Sequence, residues 1–171
     1  MTKTGAILLT AVLAATAGAS ATAAADVAGV FSQGRTHLAV VGGTGYAFDD
    51  SYFVLGVGAS YYLLNGLNVG IYAETWTGGD VGINKVTPSM QYVFYQVPHV
   101  QPYLGVFYRR TFIEGLQDLD STGGRAGVYF AAGRNTLIGV GAVYESYLDC
   151  DKATYSSCAD TYPELSFTVA F

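Results

Sequence analysis

Between residue 35 and residue 171 the chain alternates apolar residues with small or polar ones at a period of two, segment after segment. Successive side chains of a strand point to opposite faces, so this period writes a two-faced β-ribbon. Turn residues cut it into eight spans: 35–47, 51–64, 67–77, 86–96, 101–112, 123–132, 136–147 and 161–171. Each is long enough to cross a bilayer at a tilt, which takes roughly 9–11 residues. Phe53 to Ala73 carries no charge and would otherwise read as a membrane helix, but Asn65-Gly66 interrupts it. Asn-Gly between two alternating runs is the strongest short hairpin signal, expected as a type I′ turn with positive φ at both residues.

The alternation has two readings, a soluble barrel with its apolar face inside or a membrane barrel with that face outside. The other face decides between them. On the last span Leu165, Phe167, Val169 and Phe171 oppose Glu164, Ser166, Thr168 and Ala170; on the third, Leu67, Val69, Ile71 and Ala73 oppose Asn68, Gly70, Tyr72 and Glu74. A water-facing side should be rich in Lys, Glu and Thr. This one carries glycine and tyrosine, which suit a cramped interior where rings fill space left by missing side chains. Composition agrees: charged residues make up 12% of the chain, against about 25% in a soluble domain. The expected fold is all-β, an eight-stranded antiparallel up-and-down transmembrane β-barrel. After a leader of 25 residues, 171 − 25 = 146 remain, too few for a sixteen-stranded porin.

That leader is residues 1–25, where Lys3 precedes a short apolar stretch and the small residues Ala21 to Ala25. The layout is that of a secretory signal peptide, cleaved somewhere within Ala23 to Asp26. Residues 26–171 then form a single barrel domain. Export places Cys150 and Cys158, the chain's two cysteines, where a disulfide persists. Closing so short a loop removes about 2.5 kcal/mol of unfolded-state freedom.

The connections alternate in length. Asn65-Gly66, 97–100 and 133–135 are short, whereas 77–85, 112–122 and 148–160 are longer, with a tight Asp49-Asp50 as the exception. Asp49, Asp50, Asp80, Glu114, Asp118, Asp120, Asp149, Asp151 and Asp160 all fall at the end of the longer set, the tight Asp49-Asp50 included. Outer-membrane barrels have short periplasmic turns and longer extracellular loops, so periplasmic termini are expected. Tyr46, Phe48, Tyr52, Phe53, Trp76, Tyr108, Phe112, Tyr144 and Tyr147 near one rim, with Tyr61, Tyr95, Tyr103 and Phe171 near the other, are expected as interfacial rings, some of them filling the lumen instead.

With this leader, these eight segments and a terminal Phe171 preceded by Leu165, Phe167 and Val169 at two-residue steps, the chain resembles the small OmpA/OmpX/OmpW-type outer-membrane barrels over residues 35–171. As the chain ends at the barrel, the resemblance is nearest the minimal members. It implies the outer membrane of a Gram-negative bacterium, with lipid, lipopolysaccharide and the barrel assembly machinery as partners. Leu165, Phe167, Val169 and Phe171 would be the assembly signal. A monomer is expected.

The register points Glu74, Arg109, Arg125, Glu145 and Glu164 inward, where charge must be paired to be tolerated. They are expected to form a lumenal ion-pair cluster, either fixing packing and register or acting as a narrow gate. Arg110 must face the other way, near the outer rim, and is a candidate contact for lipopolysaccharide phosphate. His37 and His99 both fall at the periplasmic end, so a Ser-His mechanism at the outer leaflet lacks its base. The paired acids Asp118 and Asp120, or Asp149 and Asp151, match no EF-hand pattern. No enzyme activity, cofactor, metal site or nucleic-acid partner is expected. Two functional classes remain: a structural or interaction barrel with a plugged lumen and an acidic, disulfide-ordered loop, or a narrow channel or transporter for small solutes.

Overall fold

The computed structural model describes residues 27–47, 50–148 and 158–171. The leader 1–25, Phe48, Asp49, Cys150 and the acids Asp149 and Asp151 lie outside the described residues, as do the side chains of Tyr46 and Asp50. A single helical turn, α1 (Val27–Val30), precedes eight strands: β1 (Thr36–Ala47), β2 (Asp50–Leu64), β3 (Leu67–Thr77), β4 (Ile83–Val93), β5 (Val100–Ile113), β6 (Leu119–Ala131), β7 (Thr136–Tyr147) and β8 (Ala159–Ala170). Each pairs antiparallel with its sequence neighbours, and β1 closes on β8. The wall is the expected up-and-down barrel.

Two strands move from their expected places. β4 begins at Ile83 rather than residue 86 and ends at Val93 rather than residue 96, while β6 begins at Leu119 rather than residue 123. Lys85, Asp120 and Ser121 read as loop residues because they are polar; the wall absorbs them because Lys85 points inward over the Trp76 ring and Ser121 inward to Glu145. Phe94 and Tyr95 read as strand because they are aromatic, yet they belong to a turn. The connection 94–99 is therefore longer than 78–82 or 114–118, and the length contrast between the two ends is weaker than expected.

The 65–66 hairpin also differs from the type I′ expectation. Gly66 has φ of 82°, but His99 is the one non-glycine with positive φ among the described residues, so Asn65 stays in the ordinary half of the map. A register shift between Tyr62 and Leu64 inserts an extra residue, a bulge that meets the tight turn differently.

The outer face is apolar and bare: Leu104 is 60% exposed, Val57 59% and Ile71 56%. A water-soluble surface does not present a continuous belt of this kind; hydrocarbon solvates it. Inside, rings fill glycine slots. A Cβ on Gly58 would enter the Tyr72 ring, and one on Gly123 would meet Phe107. Tyr103 and Tyr129 pack with centroids 4.7 Å apart. Tyr52, Trp76 and Tyr103, expected as interfacial rings, belong to this interior face.

The chain-end mouth is closed by a segment that the alternation did not reveal. Phe31 is fully buried and Val30 nearly so, in a cluster with Tyr62, Val93, Tyr103, Tyr129, Leu137 and Ala170. The Phe31 ring lies 6.0 Å from Tyr62 and 6.1 Å from Tyr129, centroid to centroid. The Gly66 N–H donates to the Phe31 carbonyl at 2.8 Å, and the Gln33 N–H donates to Asn65 Oδ1 at 2.9 Å. His37 Nε2 lies 2.8 Å from the Val30 carbonyl. A carbonyl only accepts, so Nε2 carries the proton.

The β1–β8 seam is incomplete. Its register runs from His37↔Ala170 to Gly42↔Leu165, although β1 continues to Ala47 against β2 and β8 starts at Ala159 against β7. The Phe171 N–H donates to Thr36 of β1, while the Ala170 N–H turns the other way, to Asn135. Odd-numbered residues of β8 thus turn their backbone groups toward β1. Pro163 occupies the next such position and has no N–H to give. The ladder stops there.

Candidate functional site

The interior charges come from alternation on six strands. Glu74 (β3), Lys85 (β4), Arg109 (β5), Arg125 (β6), Glu145 (β7) and Glu164 (β8) share the lumenal parity with glycines and tyrosines. Three are acids and three are bases, and Asp160, of the same parity on β8, adds a carboxylate at the exposed loop end.

Arg109 is the centre. It is 1% exposed, the largest fully buried side chain among the described residues. Its Nη1 lies 2.7 Å from Glu145 Oε2 and its Nη2 3.1 Å from Glu74 Oε1, so one guanidinium spans from β7 to β3 across the lumen. Nε donates to Thr87 Oγ1 at 2.9 Å. The Tyr162 hydroxyl accepts from Nη1 and donates to Glu145 Oε2 at 2.8 Å. Ser121 donates to the other Glu145 oxygen. The fixed fork of an arginine meets this demand, and a lysine would not.

Arg125 and Glu164 form a second, looser unit, 3.5 Å apart. The five expected cluster residues are thus divided into two groups, with Phe107 touching both. Its ring centroid is 5.0 Å from Arg109 Cζ and 5.4 Å from Arg125 Cζ. Sequence reasoning missed Lys85, Thr87, Ser121 and Tyr162. The signal was available for two of them, since Lys85 and Thr87 continue inward parity through Ser89 to Gln91.

Arg110 faces outward, with its side chain half exposed, as its place next to Arg109 requires. It is already engaged: Nη2 lies 3.1 Å from Asp118 Oδ2 and Nη1 3.7 Å from Asp120 Oδ2. Those two acids already hold it, which weakens the lipopolysaccharide reading of Arg110. No group of potential metal ligands occurs among the described residues. Leu165, Phe167 and Phe171 lie on the exposed apolar face, with Val169 half-buried beside them. The expected Cys150–Cys158 bridge falls on Cys150, outside the described residues; Cys158 stands just before β8.

A closed wall, apolar outside and ionic inside, defines a small transmembrane β-barrel. No protein-family description matches the chain, and neither does any curated protein. Solved structures do. The N-terminal β-barrel domain of Pseudomonas aeruginosa OprF is similar with a TM-score of 0.65 at 13% identity, over 81% of this chain and 98% of that one. Neisserial surface protein A is similar with a TM-score of 0.51 at 18% identity, over 80% of this chain and 93% of that one. At such identities the likeness is one of fold: the eight-stranded outer-membrane barrel of the OmpA/OmpW type.

Proposed function

We propose that the chain is an exported, monomeric outer-membrane barrel that works as a structural or interaction element rather than as a pore. Its ends face the periplasm, and its acidic loop, tied by Cys150 and Cys158, faces outward beside lipopolysaccharide. The observation that carries the plugged reading is Arg109, buried and bonded to opposite sides of the lumen by Glu74 and Glu145. Ring-in-glycine packing below it and Phe31 at the chain-end mouth support the same reading. An eight-stranded lumen has room for little beyond its own side chains. The terminal Phe171, with Leu165, Phe167 and Val169, would be read by the assembly machinery.

A second reading, a narrow gated channel for small solutes, draws support from Lys85. It stands directly across from Glu74 in the β3–β4 register, within reach of the carboxylate that Arg109 now holds. Planar-bilayer recording separates the two. The plugged barrel gives no steady conductance, and Arg109→Ala with Glu145→Gln leaves it closed. Steady single-channel current from the unmodified protein overturns the structural reading.

A further inference from the structure

Toward the loop end of the lumen, beyond the Arg109 cluster, four hydrogen-bond donors are gathered on consecutive strands. Tyr52 (β2), Trp76 (β3), Lys85 (β4) and Thr111 (β5) all turn inward. The Tyr52 and Trp76 rings are 5.9 Å apart, Lys85 Nζ lies 3.9 Å from the Trp76 ring centroid, and Thr111 stands directly across from Lys85. The Tyr52 hydroxyl, the Trp76 indole N–H and the Thr111 hydroxyl are buried without a hydrogen-bond partner. Burying such a group unpaired costs about 1–3 kcal/mol, so three together mark a place that something else completes.

The donor pattern says what. Glu74 and Glu145 are bonded to Arg109, and Glu164 is bonded to Arg125. Among the described residues Lys85 is the interior cation with no carboxylate in contact. An ammonium and an indole N–H only donate, and two hydroxyls beside them are free to donate. We propose that these four side chains bind a singly charged oxyanion, a carboxylate or a dihydrogen-phosphate-like group. It would come either free from the medium or on a neighbouring lipopolysaccharide. The single charge follows from the rim, where the exposed Glu114 repels a dianion more strongly than a monoanion. The site is independent of whether the lumen conducts.

Trp76 is the chain's sole tryptophan, so its fluorescence reports on this site alone. The full-length protein in detergent micelles is titrated with sodium acetate or sodium dihydrogen phosphate against sodium chloride at constant ionic strength, and separately with lipopolysaccharide in the micelles. A saturable change with acetate or phosphate supports a free anion; a change with lipopolysaccharide alone supports the lipid-borne group. In either case Lys85→Met should raise half-saturation at least about tenfold and Thr111→Val about threefold, with far-UV circular dichroism unchanged. If Lys85→Met does not fold, the isosteric Thr111→Val variant decides. No saturable change with any probe, an equal change with chloride, or an unaltered response in the folded variants overturns the proposal.

Discussion

Arg109 Nη1 and Glu145 Oε2 lie 2.7 Å apart in the middle of a barrel whose outer face is hydrocarbon-like, and both side chains are almost wholly out of contact with solvent. Removing one partner of such a pair leaves the other charged and unpaired, which costs about 3–5 kcal/mol. Arg109→Met should therefore lose at least about 3 kcal/mol in urea-unfolding experiments in micelles. The adjacent Arg110 pairs with Asp118 at a half-exposed site. Arg110→Ala should cost less than about 1 kcal/mol. Equal losses from the two variants would contradict the assigned register.

Gly58 provides a slot for the Tyr72 ring, and the three nearest atoms to a Cβ placed there all belong to that ring. Gly58→Ala is expected to destabilise by about 1–3 kcal/mol through overpacking. Because the obstacle is a side chain, the loss in Gly58→Ala/Tyr72→Leu should be smaller than the sum of the single losses. Additive losses in a double-mutant cycle would show that the two do not touch.

These contacts also show how far the sequence can be read. Alternation assigned Glu74, Arg109, Arg125, Glu145 and Glu164 to the inner face because parity is a local property of each strand. It did not resolve which acid meets which base, since that depends on the stagger between strands. Lys85 and Ser121 were misplaced because polar residues at a strand end look the same whether they point to water or to a buried partner. Phe31 was missed for a different reason: one turn of chain before β1 has no periodicity, and its burial arises only from surfaces on distant strands.

Phe31 accordingly gives a separate expectation. Replacing a fully buried phenylalanine by alanine costs about 3–5 kcal/mol, so Phe31→Ala should lower unfolding stability by about that amount. Amide exchange should rise at Gly66, whose N–H donates to the Phe31 carbonyl. Unchanged protection at Gly66 would show that the segment is not seated.

Pro163 offers a gain rather than a loss. Its partner position on β1 is residue 44, two residues beyond the last registered pair, Gly42↔Leu165. Pro163→Thr supplies the missing N–H and a strand-forming side chain. The added N–H donates to the residue 44 carbonyl, and closing that bond should hold the residue 44 N–H on the residue 163 carbonyl, slowing its hydrogen exchange by about tenfold, roughly 1.4 kcal/mol. No slowing would mean that something other than the absent donor ends the ladder.

The seat of Phe31 has a further consequence for the order of events during assembly. It is built from Tyr62 on the second strand and Tyr129 on the sixth, staves that come together only when the sheet has rolled up. A residue near the start of the barrel must then wait for the end of the process, and its docking acts as a latch that closes only behind a correctly formed cylinder.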